Sequence, residues 1–121
     1  MDYFIFINLL VSLTILNVWL LRHNKQTPYR GGDSNNIKEE FNVYGLPTWF
    51  MYIIGTTKVI LAILLIVGIW EHQINFYVVS AMIILMLGAL AMHFKVNDPI
   101  KKSLPAFSIL LLLIFILLNH L

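Results

Sequence analysis

Four long apolar stretches divide this chain, and they restrict the folds open to it. They cover about residues 3–21, 49–70, 74–94 and 104–120. An α-helix needs about 20 mostly apolar residues to cross the hydrocarbon core of a bilayer, and each stretch reaches or approaches that length. A spanning segment must satisfy its own backbone groups, and the alternation typical of a closed β-barrel is absent. The sequence therefore predicts an all-α integral membrane four-helix bundle.

The composition favours the same environment. Of 121 residues, 60% are hydrophobic and 12% are charged, whereas a soluble domain carries about 25% charged residues. A water-soluble fold of this size could not bury so much apolar surface. We expect residues 1–121 to form one domain, with the first stretch retained as a helix because no cleavage pattern follows it. The net charge of +2 gives no reason to expect a nucleic-acid partner.

The residue types present limit the chemistry of the chain. It has no cysteine, which excludes disulfides and thiolate metal sites. Its histidines lack the spacing of a metal site, so none is predicted. No nucleophile–base arrangement, phosphate loop or carboxylate pair is evident, and we therefore identify no self-contained catalytic constellation. Whether the protein is an enzyme stays open at this point.

The first loop contains a predicted short helix at about residues 34–44. Ile37, Phe41 and Tyr44 fall on one face of it, Gly45 is a helix terminator, and Pro47 prevents its continuation. Such a helix could lie in the headgroup region, or it could pack as a cap on the ends of the bundle. The pattern alone does not separate these two arrangements.

The basic residues outside the spans are confined to two loops. They are Arg22, Lys25, Arg30 and Lys38 in loop 22–48, and Lys95, Lys101 and Lys102 in loop 95–103. In a four-helix protein these loops lie on one side of the membrane. The positive-inside rule predicts that both are cytoplasmic and that both termini lie outside, in a bacterial-type plasma (inner) membrane.

Lys58 is the most informative candidate for a ligand-binding residue, because it is the charged residue within a predicted span. A lysine deep in the membrane costs about 2.5 to 3.5 kcal/mol on insertion scales. One interpretation is a pocket in which the ammonium meets a polar ligand. The other is that the side chain extends along its helix until the amine reaches the interface.

Four further residues complete the candidate ligand-binding set: His93, Asn17, Tyr52 and Trp49. His93 could exchange protons near neutral pH, or it could simply bond to a neighbouring loop. Asn17 could meet Lys58 and His93 in one pocket near the cytoplasmic face, or could bond between helices. Tyr52 and Trp49 could wall that pocket, or could anchor the helix at the interface as aromatic residues do.

Other polar and small residues in the spans have structural interpretations. Asn8, Ser12 and Thr14 are expected to form interhelical hydrogen bonds. The glycines at positions 55, 68 and 88 are expected to allow close approach of neighbouring helices.

A set of short motifs covers most of the chain after Arg30. They are Glu39-Glu40-Phe41, Tyr44-Gly45-Leu46-Pro47, Gly55-x-x-Lys58, Ala91-Met92-His93, Asn97-Asp98-Pro99 and Leu104-Pro105-Ala106. In order and spacing this set resembles the DoxX-like family. The resemblance implies a compact four-helix membrane bundle with a pocket near Lys58. Many members have a glutamate after the glycine where this chain has Lys58, so the charge of the pocket is reversed here.

The functions implied by the resemblance are varied, since relatives include a small subunit of a thiosulfate–quinone oxidoreductase, redox-linked membrane partners and distant assembly factors. We expect a protein that binds a quinone-like or lipid-like ligand, or a redox-accessory subunit. A non-covalently held quinone is then the candidate cofactor. The alternatives are an assembly factor without a ligand and a small-anion transporter. Besides the lipid bilayer, the candidate partners are a membrane protein complex and a second copy of the chain as a homodimer.

Overall fold

The computed structural model describes residues 2–25 and 27–119, with side chains from Phe4 onward. It contains five α-helices: α1 at Asp2–Leu16, α2 at Ile37–Tyr44, α3 at Thr48–Val67, α4 at His72–Lys95 and α5 at Ile100–Leu118. A π-helical turn, Asn17–Leu21, continues α1. Four segments are long and apolar enough to cross a membrane: Phe4–Leu21, Thr48–Val67, His72–Lys95 and Ile100–Leu118. The predicted all-helical membrane fold is therefore confirmed.

The spanning helices pack in the cyclic order α1, α3, α4, α5, and α2 lies against one end of α3 and α4. Side chains from all four meet in one apolar core, which includes Val11, Leu65, Met82 and Leu113, each with no exposed surface. The segments that join α1 to α3 and α4 to α5 lie at the same end of the bundle, where Asp98 accepts a hydrogen bond from Gly32 N. We call this the basic end.

The bounds of three helices differ from the predicted ones. Helix α3 ends at Val67 and not at residue 70. Helix α2 begins at Ile37 rather than near Ser34, because the Asn36 side chain caps it by accepting a hydrogen bond from Glu39 N at 2.8 Å. Helix α5 begins at Ile100, directly after the extended residue Pro99, and not near residue 104. It is described to Leu118, and the predicted end at residue 120 lies outside the described residues.

A polar cluster joins α1, α3 and α4 inside the apolar core. Asn8 donates to Leu65 O and to Asn75 Oδ1, both at 2.9 Å, and Ser12 donates to Ala62 O at 2.6 Å. Asn8, Ser12 and Asn75 have no exposed surface. The expected interhelical role is therefore seen for Asn8 and Ser12. The Thr14 hydroxyl instead bonds within its own helix, to Leu10 O at 2.7 Å.

We expect Asn8→Ala to lower the free energy of unfolding by about 1 to 2 kcal/mol, since interhelical hydrogen bonds in membranes contribute about 0.6 kcal/mol on average and the lost volume adds a cavity term. The loss is limited because Asn8 Oδ1 has no partner among the described residues, so its removal relieves a buried polar group. Unfolding in mixed detergent–SDS micelles measures the change. Thr14→Ala is the matched control and should change stability little; equal effects of the two substitutions would contradict the assignment.

Candidate functional site

A cavity of about 340 Å³ lies between α3 and α4 near the basic end. Residues at helical spacing form its two long walls: Phe50, Ile54 and Lys58 on α3, and Leu85, Gly88, Ala89, Met92 and His93 on α4. Helix α2 contributes Ile37, Glu40, Phe41 and Tyr44, while Val18, Trp19, Arg30 and Leu46 complete the lining. The cavity thus combines apolar walls inside a membrane span with several polar groups at one end.

Lys58 is held against an aromatic ring in this cavity. Its Nζ atom lies 5.4 Å from the centroid of the Trp19 ring, a cation–π distance. The indole fits there because α3 has Gly55 opposite it; a Cβ atom at position 55 would lie 2.6 Å from the Trp19 ring. Phe41 meets the indole edge-on, with ring centroids 6.1 Å apart. Trp19 is therefore fixed between α2 and α3 and forms a wall for the Lys58 ammonium.

Residues 27–46, which we call the cover segment, close the cavity at the basic end. Arg30 is 6% exposed and lies 3.5 Å from Glu40 Oε1, and it donates to Lys25 O and Arg22 O. Burial lowers the pKa of Arg30, and the Glu40 carboxylate opposes that change. Glu40 Oε2 also accepts from Gly31 N at 2.7 Å. The carboxylate therefore has its partners within the cover segment.

The same Glu40 oxygen accepts a hydrogen bond from the Tyr44 hydroxyl at 2.8 Å. Burial raises the pKa of Tyr44, and the neighbouring carboxylate raises it further, so the phenol is a neutral donor at physiological pH. Its ring meets His93 edge-on at 6.0 Å. Tyr44 thus connects the cover segment to α4.

Asp98 fixes His93 and holds the cover segment at the same time. Its Oδ2 atom lies 2.7 Å from His93 Nδ1, and its Oδ1 atom accepts from Gly32 N at 2.9 Å and lies 3.9 Å from Lys102 Nζ. In neutral His93 this pairing places the proton on Nδ1 and leaves Nε2 as an acceptor. Lys102 Nζ also donates to Gly32 O.

The structure brings together only some of the residues predicted from sequence. Lys58 and His93 line one cavity. Asn17 lines a neighbouring cavity of about 400 Å³ that also includes His93. Tyr52 lines a groove of about 580 Å³ on the other side of Trp19. Trp49 is 64% exposed and packs edge-on against Phe50.

Sequence reasoning did not assign Trp19, Arg30 and Glu40 to the cavity, and it did not identify Asp98 as a residue that holds the cover segment. A signal for Glu40 was available, because it lies three residues after Ile37 and four before Tyr44 and so borders the apolar face of α2. No comparable signal placed Trp19, whose position depends on the glycine that faces it on another helix. Within the part of the chain that is described, no group of three His, Asp or Glu side chains could hold a metal ion.

Comparison with known proteins supports the family resemblance. The profile of the DoxX-like family matches residues 32–117, which include α2, α3, α4 and all but the last residue of α5, and hence both long walls of the cavity. Searches of curated proteins and of solved structures gave no match. The matched region contains the motifs on which the resemblance was based. That match, together with the four apolar helices of the described chain, establishes the assignment. The chain is a membrane protein that belongs to the DoxX-like family.

Proposed function

We propose that this protein binds a lipid-soluble molecule with a compact polar head, quinone-like or lipid-like, in the cavity between α3 and α4. The observation that carries the proposal is the position of Lys58. Its side chain belongs to a spanning helix and lines a cavity, where the ammonium lies over the Trp19 ring. An ionisable residue in a membrane span is costly and points to a functional site.

The two carboxylates at the basic end of the cavity are bonded to groups other than the Lys58 ammonium. The Glu40 carboxylate is bonded to Gly31 and Tyr44 and lies beside Arg30. The Asp98 carboxylate is bonded to His93 and Gly32. The Glu40 carboxylate attracts the Lys58 ammonium electrostatically. Both acidic groups nevertheless have hydrogen-bond partners of their own, so Lys58 remains available to an oxygen of a ligand, such as a carbonyl or an anionic headgroup.

The size and lining of the cavity suit such a ligand. Small-molecule sites have volumes of about 300 to 1,000 Å³ and mostly apolar walls with a few polar groups, and the volume here is about 340 Å³. The head of a quinone would stack against Trp19 or Phe41 and accept a hydrogen bond from Lys58. After reduction, a quinol hydroxyl would donate to the acceptor Nε2 of His93. With such a ligand the protein would serve as a redox-accessory subunit, and its electrons would come from a partner protein.

The ligand should be recoverable with the protein. We expect mass spectrometry of gently purified wild-type protein to detect a co-purifying quinone or lipid, because a membrane cavity fills from the bilayer. Lys58→Met should lose most of this ligand, whereas Lys101→Met, on an exposed lysine outside the cavity, should keep it. An empty wild-type cavity would contradict the proposal and favour the assembly role.

We further propose that the basic end faces the cytoplasm of a bacterial-type cell, with both termini outside. Because the chain has no cysteine, single substitutions test this orientation directly. A membrane-impermeant maleimide added to intact cells should label Gln73→Cys, at the opposite end, and should label Asn24→Cys only after permeabilisation. The reverse pattern would refute the orientation.

A further inference from the structure

Gly88 lies in the α4 wall of the cavity, and it is also exposed on the outer surface of the bundle. Helix α4 is one of the four membrane-spanning candidates, and Gly88 lies in its interior. Ile84 and Ala91, one turn before and one turn after Gly88, are exposed as well, so this face of α4 borders the hydrocarbon of the bilayer. One residue thus borders both the cavity and the lipid.

Gly55 within α3, Gly68 at its end and Gly88 within α4 differ in the space that a Cβ atom would find. A Cβ atom on Gly55 would strike Trp19, and one on Gly68 would strike the Asn75 amide. A Cβ atom on Gly88 would meet nothing within 4 Å. The expected role in close helix packing therefore applies to Gly55 and Gly68 but not to Gly88. Since glycine weakens a helix relative to alanine, the open space at Gly88 calls for another explanation.

Access to the cavity from water is restricted by the cover segment. Gly31 N is bonded to Glu40, Gly32 N to Asp98, and Tyr44 O to Lys95 Nζ at 2.8 Å. These bonds hold the cover segment across the basic end of α3 and α4. A route from the side, between the two helices, would reach Lys58 without breaking them.

We infer that Gly88 forms the edge of a lateral portal between α3 and α4, through which the polar head of a lipid-soluble ligand passes from the bilayer to Lys58. The tail of the ligand stays among the acyl chains. This inference rests on the proposed function and adds the route by which the ligand is exchanged. The cavity then requires no opening of the cover segment for each exchange.

The kinetics of ligand exchange test the portal. The probe is decylubiquinone, which should quench tryptophan fluorescence when it binds to the protein in nanodiscs. We expect Gly88→Phe to slow association and dissociation together, on the order of tenfold, and to leave Kd nearly unchanged, since it narrows the route and not the site. Gly88→Ala should have little effect. Ala91→Phe is the matched control, because Ala91 is also exposed on α4 but does not line the cavity.

Three results would overturn the portal: unchanged exchange rates in Gly88→Phe, a raised Kd with unchanged association, or loss of an oligomer in Gly88→Phe alone. The second would make Gly88 part of the binding site, and the third would make it a contact between copies. If decylubiquinone fails to bind wild-type protein, the proposal that the ligand is a quinone is contradicted. A second measurement, which uses no quinone, still tests whether the portal exists.

That measurement uses vesicles of brominated phosphatidylcholine and a protein whose only tryptophan is Trp19, made with Trp49→Phe and Trp70→Phe. Acyl chains that enter the portal should quench Trp19, because the indole forms a wall of the cavity. Gly88→Phe should remove part of this quenching, and Ala91→Phe should remove none. Acyl chains in the groove beside Tyr52 should still quench Trp19 in both variants. Equal quenching in all three proteins would rule out the portal.

Discussion

Glu40→Ala should release the cover segment from the bundle, at a cost of about 3 to 5 kcal/mol in the free energy that holds it closed, as is typical when one partner of a buried ion pair is removed. The side chains of Arg30 and Glu40 are 6% and 15% exposed, so the guanidinium would remain buried without its carboxylate. Gly31 N and the Tyr44 hydroxyl would lose their acceptor as well. The spanning helices should stay intact, because their apolar core does not include Glu40.

Hydrogen–deuterium exchange of the backbone amides in residues 27–46 measures this opening. Exchange should accelerate throughout the cover segment in Glu40→Ala and remain slow in the core of α4, since local opening need not unfold the protein. Glu39→Ala is the matched control. Glu39 is exposed on α2, and its carboxylate accepts hydrogen bonds only from the nearby Asn35 N and Asn36 Nδ2. Comparable acceleration in both variants would show that the buried carboxylate is not what holds the cover segment.

Lys58→Met should change ligand binding and protein stability in opposite directions. Kd for decylubiquinone should rise about 10- to 100-fold, because a hydrogen bond to a charged group contributes about 1.5 to 3 kcal/mol. Stability should rise by about 1 kcal/mol, since removal of an intramembrane ammonium outweighs the lost cation–π contact with Trp19. If Lys58 served packing alone, its replacement would leave Kd unchanged and lower the stability.

Fluorescence titration in nanodiscs and thermal unfolding of the same preparations measure the two quantities together. Lys101→Met is the control for removal of a positive charge, and it should leave both nearly unchanged, because Lys101 is exposed and outside the cavity. Unaltered affinity in Lys58→Met would leave the ammonium without a role in binding. Loss of stability would instead indicate that the side chain reaches the interface and stabilises the fold.

The fold could be predicted from the sequence because the membrane imposes a simple constraint. Spans of about 20 apolar residues separated by polar loops have few alternatives, and the observed spans follow from that pattern. The helix ends were less predictable. Ser34 and Asn36 are both suitable caps, but the Ser34 hydroxyl donates to Gly31 O, whereas Asn36 accepts from Glu39 N.

The candidate site was only partly predictable, because it depends on contacts between distant parts of the chain. Lys58 and His93 stood out as ionisable groups in apolar helices, and they do line one cavity. Tyr52 was placed by its distance along α3, but Trp19 separates it from that cavity. Asp98, in the segment after α4, pairs with the nearby His93, but its contact with Gly32, which is 66 positions away, could not be predicted from the sequence.

Solid-state NMR of the protein in lipid bilayers tests the central claim most directly. With ¹⁵N-labelled lysine and a quinone labelled with ¹³C at its carbonyls, a dipolar coupling should appear between Lys58 Nζ and a carbonyl carbon about 4 Å away, the separation expected across an N–H···O=C bond. The coupling should disappear in Lys58→Met and persist in Lys101→Met. A bound quinone whose carbonyls couple to other residues but not to Lys58 Nζ would contradict the account.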